Sequence, residues 1–173
     1  LNLAATMKLP VVFVCENNLF SSHLHISLRQ PADSIARYAD AHCIPSIVLD
    51  GNDVVATYEA MGEAVRRCRE GKGPVFVEAV TYRWRGHVGP REDLDVGVQR
   101  KDDLVKWRKR DPIHRLWKSM EAGEQGEEGL PDSLLEKHRG ECDGQWARAS
   151  EAPYPAGEEL LNRVYTPVNA ERR

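Results

Sequence analysis

Three short runs of apolar, β-branched residues constrain the fold of this chain more than any other feature of its sequence. They cover residues 11–15, 46–50 and 75–80, and Pro, Gly or Asn residues lie at their ends. Apolar runs of this length without alternation are typical of strands that are buried on both faces, as in a parallel sheet. The sequence therefore predicts three parallel strands.

Two helical patterns separate these strands. Asp33 or Ser34 can cap the first helix, and Asn52 or Asp53 can cap the second. Residues at helical spacing follow each cap. They are Ile35, Tyr38, Ala39 and His42 in the first helix, and Tyr58, Met61, Val65 and Cys68 in the second. The order strand, helix, strand, helix, strand predicts a doubly wound α/β unit with right-handed crossovers.

The sequence changes in character after the third strand. Residues 83–100 are rich in Arg, Gly and Asp without a period, which is typical of a functional or disordered loop. Asp111 and Pro112 then form an N-cap and a first-turn proline. Helical patterns cover about 101–110, 112–122, 132–149 and 158–165. We predict an α/β part over residues 1–100, with the loop at about 83–100, and a helical tail over 101–173.

Two of the tail helices carry apolar stripes. The stripes are Ile113, Leu116, Trp117 and Met120 in one helix, and Leu134, Leu135, His138, Cys142 and Trp146 in the next. Stripes at this spacing predict one buried face on each helix.

Charge and hydropathy exclude two classes of function. The chain of 173 residues has 24 basic and 27 acidic residues, a net charge of −3, whereas proteins that bind nucleic acid are normally basic. No apolar run approaches the roughly 18 residues that a membrane-spanning helix needs. The four cysteines stand singly, without a CxxC pair, so we expect no disulfide framework and a reducing, cytoplasmic location.

The start of the chain favours a piece of a longer protein. It begins with Leu1 rather than Met, and residues 1–8 are typical of the end of a helix. A buried strand so close to the start needs covering helices that this sequence only partly supplies. The alternative is a natural short protein with a ragged start.

An asparagine pair, Asn17 and Asn18, follows the first predicted strand directly. Open α/β sheets bind ligands outside the carboxyl ends of their strands. Amide and backbone carbonyl oxygens suit a hard cation such as Mg²⁺, which is usually shared with phosphates and carboxylates. Taken alone, an asparagine pair at this place also fits a simple turn.

An arginine- and histidine-rich segment, residues 83–90, follows the third strand, at the same edge of a parallel sheet. Arginine and histidine donate to phosphate oxygens, and its two glycines let the backbone approach a ligand. The alternative is a solvated basic loop balanced by nearby acidic residues. His23 and His25 lack a convincing third ligand nearby and are expected to be surface or loop histidines. The motifs GxGxxG, GxxxxGK[ST] and GxSxG are absent from the sequence.

In order, these motifs resemble the α subunit of the E1 component of 2-oxo acid dehydrogenase complexes. These enzymes depend on thiamine diphosphate and include the pyruvate, branched-chain 2-oxo acid and acetoin types. The resemblance covers roughly residues 1–120. Its matching stretches are residues 1–5, 9–18, 50–53, 73–74 with Glu78, 81–83 with 86–87, and 110–113. It implies the parallel-sheet thiamine-diphosphate-binding fold, present here in part and followed by the helical tail.

The resemblance also implies a cofactor site for thiamine diphosphate and Mg²⁺. Asn18 corresponds to the family's metal-ligating asparagine, and Phe20 to the residue whose backbone carbonyl binds the metal. His87 corresponds to the catalytic loop histidine that approaches the cofactor diphosphate. Arg85 and Gly86 are carried over as cofactor-binding members of that loop.

Two departures from the family's pattern, and one role that the family places on another subunit, limit what the resemblance implies. The family's metal motif begins with Gly-Asp-Gly, which this sequence lacks, so we expect the chain alone to be inactive. Val88 stands where mitochondrial relatives carry a phosphorylatable serine, which excludes that form of control. The glutamate that activates the cofactor is expected on the β subunit, so Glu16 does not have that role.

The function implied is the oxidative decarboxylation of a 2-oxo acid, with acyl transfer to a lipoyl carrier. The implied partners are an E1 β subunit, a lipoyl-bearing E2 acyltransferase and a small 2-oxo acid, without nucleic acid or membrane. Two alternatives stay open. One is another thiamine-diphosphate enzyme, acetoin dehydrogenase-like or transketolase-like, and the other is a non-enzymatic α/β interaction module.

Overall fold

The computed structural model describes residues 1–92, 100–126 and 129–161 of the chain. The chain divides into two compact units, Leu1–Gly126 and Glu127–Arg173. The sequence predicts that the cofactor-binding part of the fold ends at about residue 100. The division into two compact units does not test that boundary, which stays a prediction. The predicted loop segment 93–99 and the residues of the last predicted helix from 162 onward lie outside the described residues.

Within its described residues the first unit contains the parallel sheet, a short hairpin, five α-helices and a 3₁₀ helix (Ile26–Leu28) after the hairpin. In chain order its elements are α1 (Asn2–Thr6), β1 (Val12–Asn17), β2 (Phe20–Ser21), β3 (Leu24–His25), α2 (Arg37–Asp40), β4 (Ser46–Asp50), α3 (Val54–Arg69), β5 (Val75–Val80), α4 (Arg100–Arg108) and α5 (Pro112–Ala122). The second unit contains α6 (Leu130–Glu151) and a short 3₁₀ helix (Gly157–Leu161).

The three apolar runs form one parallel sheet, as the sequence predicts. Its order is β1-β5-β4, with β5 in the centre. The register aligns Asn17, Val80 and Asp50 at the carboxyl ends of the three strands. Strands β2 and β3 form a separate antiparallel hairpin just after β1.

The core lies on both faces of β5. Phe76 packs with Ala36, Ala39 and Ile44 on one face. Val75 and Val77 point to the other face, where they pack with residues of α3. Burial on both faces explains why these strands read as continuous apolar runs rather than alternating ones.

Two details of the predicted helices are wrong. Helix α2 has four residues, and Tyr38 on its predicted apolar face is exposed, because Ala36 and Ala39 are the residues buried against the sheet. In α3 the predicted cap is correct, since Asp53 accepts the N–H of Ala56 at 3.0 Å. Tyr58, however, is 80% exposed, because the small residues Ala64 and Cys68 let the helix lie close to the sheet.

The tail helices begin where the sequence predicts but bury little. Asp111 caps α5 by accepting the N–H groups of Ile113 and His114, and Pro112 occupies the first turn. Ile113 is nevertheless exposed, and so are Leu134, Leu135 and Trp146 of the predicted stripe on α6, Trp146 to 77%. The predicted buried face of α6 is therefore wrong for the described residues. No described helix combines the length and apolar character needed to cross a membrane.

Candidate functional site

The carboxyl ends of the three strands meet at one edge of the sheet and are joined there by backbone hydrogen bonds. The N–H of Thr81 donates to the carbonyl of Asn17 at 2.9 Å, and the N–H of Gly51 donates to the carbonyl of Val80 at 2.8 Å. A Cβ atom at Gly51 would lie 3.1 Å from the Ala79 Cβ and the Val80 oxygen. Glycine at 51 therefore permits the close approach of β4 and β5.

The predicted asparagine pair divides into two different environments. Asn17 is buried, and its side-chain nitrogen donates to Glu78 Oε1 at 2.7 Å and to the carbonyl of Asp33 at 3.1 Å. Its amide oxygen accepts the N–H of Leu19 at 3.0 Å. Asn18 is partly exposed. The two asparagines therefore cannot share one role, and Asn17 is a structural anchor.

Asn18 and Phe20 lie together in a tight turn after β1. The Asn18 amide oxygen accepts the N–H of Phe20 at 3.1 Å, and Leu19 between them has φ +67°. The carbonyl of Leu19 accepts the N–H of Ile26 at 2.8 Å. A carbonyl oxygen has two lone pairs, so the Asn18 oxygen keeps capacity for one more partner.

The side chain of Phe20 anchors this turn in an aromatic cluster. Its buried ring packs edge-on against His25, at 5.1 Å between centroids, and against Tyr82, at 5.7 Å. Tyr82 stacks on Trp107 of α4 at 5.6 Å. These contacts fix the backbone at residue 20, whose carbonyl is the predicted metal ligand.

The loop that follows β5 contacts the β2–β3 hairpin at its start. The guanidinium of Arg83 donates to the carbonyl of Ser22 at 2.6 Å. Further along, Arg85 donates to the carbonyl of Pro90 at 3.0 Å, and the N–H of Gly86 donates to the carbonyl of Arg91. His87 is exposed in this loop. The approach of Arg85, Gly86 and His87 to Asn18 stays a prediction.

Sequence reasoning assigned no role to Glu78, which lies at the centre of the sheet. Its side chain is fully buried, and Oε2 accepts hydrogen bonds from Ser34 Oγ at 2.7 Å and from the N–H groups of Ile35 at 2.9 Å and Ala36 at 2.8 Å. Burial raises the pKa of the Glu78 carboxyl, but its hydrogen bonds outweigh that effect and hold the pKa below the ordinary value. An acidic residue inside an apolar strand was the signal in the sequence. We call Asn17, Ser34 and Glu78 the Glu78 cluster.

A second polar cluster at the same edge was also missed. Buried Asn52 accepts the Thr81 hydroxyl at 2.7 Å and donates to the carbonyl of Arg110 at 2.9 Å. Arg115 donates to Asp50 at 2.8 Å and to Asp53 at 3.1 Å. We call Asp50, Asn52, Asp53, Arg110 and Arg115 the Arg115 cluster.

The Arg115 cluster joins α5 to the end of β4. Arg110 also pairs with Asp50, at 2.9 Å, and its guanidinium lies 4.3 Å from the centroid of the Trp107 ring. Burial raises the pKa of Asp50, but hydrogen bonds from the two guanidinium groups outweigh it and lower the pKa below the ordinary value. Both clusters therefore hold ionised carboxylates at neutral pH.

The donor set at this edge suits a shared metal site rather than a self-contained one. Among the described residues, no group of three or more His, Cys, Asp or Glu side chains could hold a metal ion. The Asn18 amide oxygen and the Phe20 carbonyl are neutral oxygen donors of the kind that Mg²⁺ accepts beside phosphates and carboxylates. All four cysteines, which lie within the described residues, are free.

Comparison with known proteins gives consistent results. The pattern that defines the family described as dehydrogenase E1 component matches residues 1–158. The chain is 36% identical over 166 residues to the α subunit of the acetoin:2,6-dichlorophenolindophenol oxidoreductase of Bacillus subtilis, covering 95% of this chain and 48% of that protein.

Two further relatives carry different substrate names. The chain is 35% identical to the testis-specific mitochondrial pyruvate dehydrogenase E1 α subunit of Homo sapiens, covering 95% of this chain and 42% of that protein. It is 33% identical to the 3-methyl-2-oxobutanoate dehydrogenase α subunit of Mycobacterium tuberculosis, covering 99% of this chain and 45% of that protein. The chain thus spans about half the length of the curated relatives it matches.

Proposed function

Because this chain belongs to the family of dehydrogenase E1 components, we propose that it forms part of the α subunit of a thiamine-diphosphate-dependent 2-oxo acid dehydrogenase. The observation that carries the proposal is the turn after β1. It holds the Asn18 amide oxygen and the Phe20 backbone together at the carboxyl edge of a parallel sheet, where such folds bind ligands.

The proposed role of this turn is to hold Mg²⁺ bound to the cofactor diphosphate. Asn18 contributes its side-chain oxygen and Phe20 its backbone carbonyl. Both are neutral, so we propose that the negative charge around Mg²⁺ comes from phosphate oxygens of the cofactor and from a carboxylate on another part of the protein. The relatives are about twice as long as this chain, which leaves room for that carboxylate in a longer protein.

The loop after β5 completes the proposed cofactor site. Bound thiamine diphosphate supplies the nucleophilic carbon for decarboxylation, while the protein binds, orients and excludes water. We assign Arg85 and Gly86 to the diphosphate side of the site and His87 to a hydrogen bond that orders the loop over it. The side chain of His87 is exposed, and Arg83 joins the start of the loop to the hairpin by its bond to the carbonyl of Ser22.

The proposed partners rest on membership of the E1 family. An E1 β subunit supplies the remaining catalytic groups, and a lipoyl-bearing E2 acyltransferase accepts the acyl group. The substrate is a small 2-oxo acid. The cytoplasmic location expected from the sequence stays a prediction.

An acetoin-type activity is the second candidate. The acetoin relative is 36% identical to this chain, against 35% and 33% for the pyruvate and 3-methyl-2-oxobutanoate relatives, so similarity does not favour one substrate. Product analysis separates the candidates, because a ketol substrate gives an aldehyde without release of carbon dioxide from a 2-oxo acid.

The test uses the natural full-length protein, purified with any subunit that accompanies it. We expect release of carbon dioxide from a 2-oxo acid that requires both thiamine diphosphate and Mg²⁺. Asn18→Ala should raise the Mg²⁺ concentration needed, and His87→Ala should lower the rate, whereas the control His114→Ala on the exposed side of α5 should do neither. If neither variant differs from the wild type in cofactor binding or rate, the interaction-module alternative replaces the proposal.

A further inference from the structure

The central strand β5 contains a charged residue that packing alone does not require. Glu78 lies fully buried between Val77 and Ala79, and an apolar residue there would continue the buried run. A buried carboxylate is costly unless hydrogen bonds replace its hydration. The fold meets that condition with one hydroxyl, one side-chain amide and two backbone N–H groups.

The two oxygens of Glu78 hold two different segments. Oε2 accepts all three donors from residues 34–36, which lead into α2. Oε1 accepts the side-chain nitrogen of Asn17 at 2.7 Å. One carboxylate thus connects the approach to α2 with the end of β1, and only its Oε1 side faces the candidate site.

Glu78 determines which way the Asn17 amide points. The Asn17 nitrogen lies between two acceptors, Glu78 Oε1 and the carbonyl of Asp33. A flipped amide would direct its oxygen at both acceptors. The observed orientation therefore directs the Asn17 oxygen to the N–H of Leu19, at 3.0 Å.

The turn held by this bond is one that most residues avoid. Leu19 has φ +67°, in the left-handed region that disfavours residues with a Cβ atom. Such a conformation persists only where its surroundings over-determine it. Here the Asn17 oxygen holds the Leu19 N–H, the Asn18 oxygen holds the Phe20 N–H, and the Leu19 carbonyl accepts from Ile26.

We propose that Glu78 is a positioning residue for the metal site. Acting through the Asn17 amide, it sets the turn that presents the Asn18 side-chain oxygen and the Phe20 carbonyl to Mg²⁺ and the diphosphate. The inference rests on the proposed function, since it concerns the same ligands. Glu78 touches neither ligand itself, and its contribution is the geometry of the turn.

The test compares two variants that disturb the same carboxylate on opposite sides. Glu78→Gln keeps the size of the side chain but loses one acceptor oxygen. The NH₂ group of the introduced amide would then face the NH₂ group of Asn17, which in the wild type donates to a carboxylate oxygen. Ser34→Ala removes a donor from Oε2 and leaves the Asn17 side intact. The experiment uses the natural protein with its partner subunit and titrates Mg²⁺ at fixed thiamine diphosphate, with tryptophan fluorescence as the binding signal and Tm measured alongside.

Glu78→Gln should raise the Mg²⁺ concentration for half-maximal cofactor binding by at least about tenfold, whereas Ser34→Ala should change it by less than about twofold. Both variants should lower Tm, so a general loss of stability would not separate them. Asn17→Ser, whose hydroxyl is too short to reach both Glu78 and the Leu19 N–H, should resemble Glu78→Gln and serves if that variant does not fold.

Equal shifts in the Mg²⁺ requirement for the folded Glu78→Gln and Ser34→Ala proteins would overturn the positioning role. An unchanged Mg²⁺ requirement in both Glu78→Gln and Asn17→Ser would overturn it as well. A wild-type protein that binds no thiamine diphosphate with Mg²⁺ would instead overturn the proposed function. The two failures are therefore distinguishable within one titration series.

Discussion

The Glu78 cluster reaches the carboxyl edge of the sheet through Asn17, and the Arg115 cluster lies at that edge, but the two stabilise their ionised carboxylates in different ways. Glu78 is fully buried, and uncharged donors satisfy it. Asp50 is partly exposed, and two guanidinium groups bind it. Thr81 links the clusters, because its N–H donates to Asn17 and its hydroxyl to Asn52.

The difference indicates that the Glu78 cluster fixes the geometry of neighbouring chain segments, whereas the Arg115 cluster attaches α5 to the sheet. Fixed backbone and amide donors around a buried carboxylate hold neighbouring chain segments in one arrangement. Long, partly exposed arginine side chains attach α5 to β4 through ion pairs that depend less on direction. Solvent also screens the charges of these pairs. The candidate metal turn is bonded directly to the buried cluster.

Truncation of the buried carboxylate should have the largest effect. Glu78→Ala leaves four donors in the sheet interior without an acceptor, so we expect a loss of at least about 3 kcal/mol in the free energy of unfolding. Denaturant unfolding of the purified protein measures it. A loss no larger than that of an exposed-site control such as Glu59→Ala would show that water replaces the carboxylate.

A methyl group at the contact between the strand ends should have the next largest effect. Gly51→Ala places a Cβ atom 3.1 Å from a backbone oxygen and from the Ala79 Cβ, so we expect a loss of about 2 kcal/mol. Gly62→Ala is the matched control in α3, where a Cβ atom would meet nothing within 4 Å. It should stabilise the helix by about 0.5–1 kcal/mol, and the same unfolding curves report both signs.

Removal of the Arg115 guanidinium should lower the free energy of unfolding by a smaller amount. Arg115→Met loses the bonds to Asp50, Asp53 and the carbonyl of Asn52, but the Arg115 side chain is 36% exposed, so screening limits the loss to about 1 kcal/mol. Arg69→Met on the same chain is the control and should change stability little. A loss from Arg115→Met as large as that from Glu78→Ala would remove the distinction between the clusters.

Acid unfolding at low and high salt should distinguish the two clusters, and this is the smallest effect that we expect. Both Glu78 and Asp50 have a lowered pKa in the fold, so the stability they contribute is present above their unfolded pKa. It is lost as the pH falls below the ordinary values, 4.5 for Glu78 and 3.8 for Asp50, and through the lower folded pKa of each group. At about 1 M salt the Arg115 contribution should shrink and the Glu78 contribution should remain. Acid unfolding of wild type and Arg115→Met at two salt concentrations tests this.

Sequence patterns were sufficient for the sheet because burial on both faces leaves a simple signature. The runs 46–50 and 75–80 match β4 and β5 residue for residue. The caps at Asp53 and Asp111 were also predictable, since a cap is a local hydrogen bond. The buried helix faces were not, because Ala36 and Ala64 look unremarkable in sequence and only the close packing of helix on sheet selects them.

The candidate site was predictable in part for the same reason. Asn18 and Phe20 are close in sequence, so one turn brings them together. Glu78 and Asn17 are 61 residues apart, and only the β1–β5 pairing joins them. The single signal, an acidic residue inside an apolar strand, does not name its partner. The contact between Asn52 and Arg115 was missed because it depends on how α5 packs against β4.

Native mass spectrometry of the protein purified from its source is the most direct test of the α-subunit assignment. It reports chain length, partner subunit and bound cofactor in one spectrum. We expect a chain longer than these 173 residues, associated with a second subunit and carrying the mass of thiamine diphosphate with Mg²⁺. A single unassociated chain with no bound mass, even after incubation with both cofactors, would contradict the assignment.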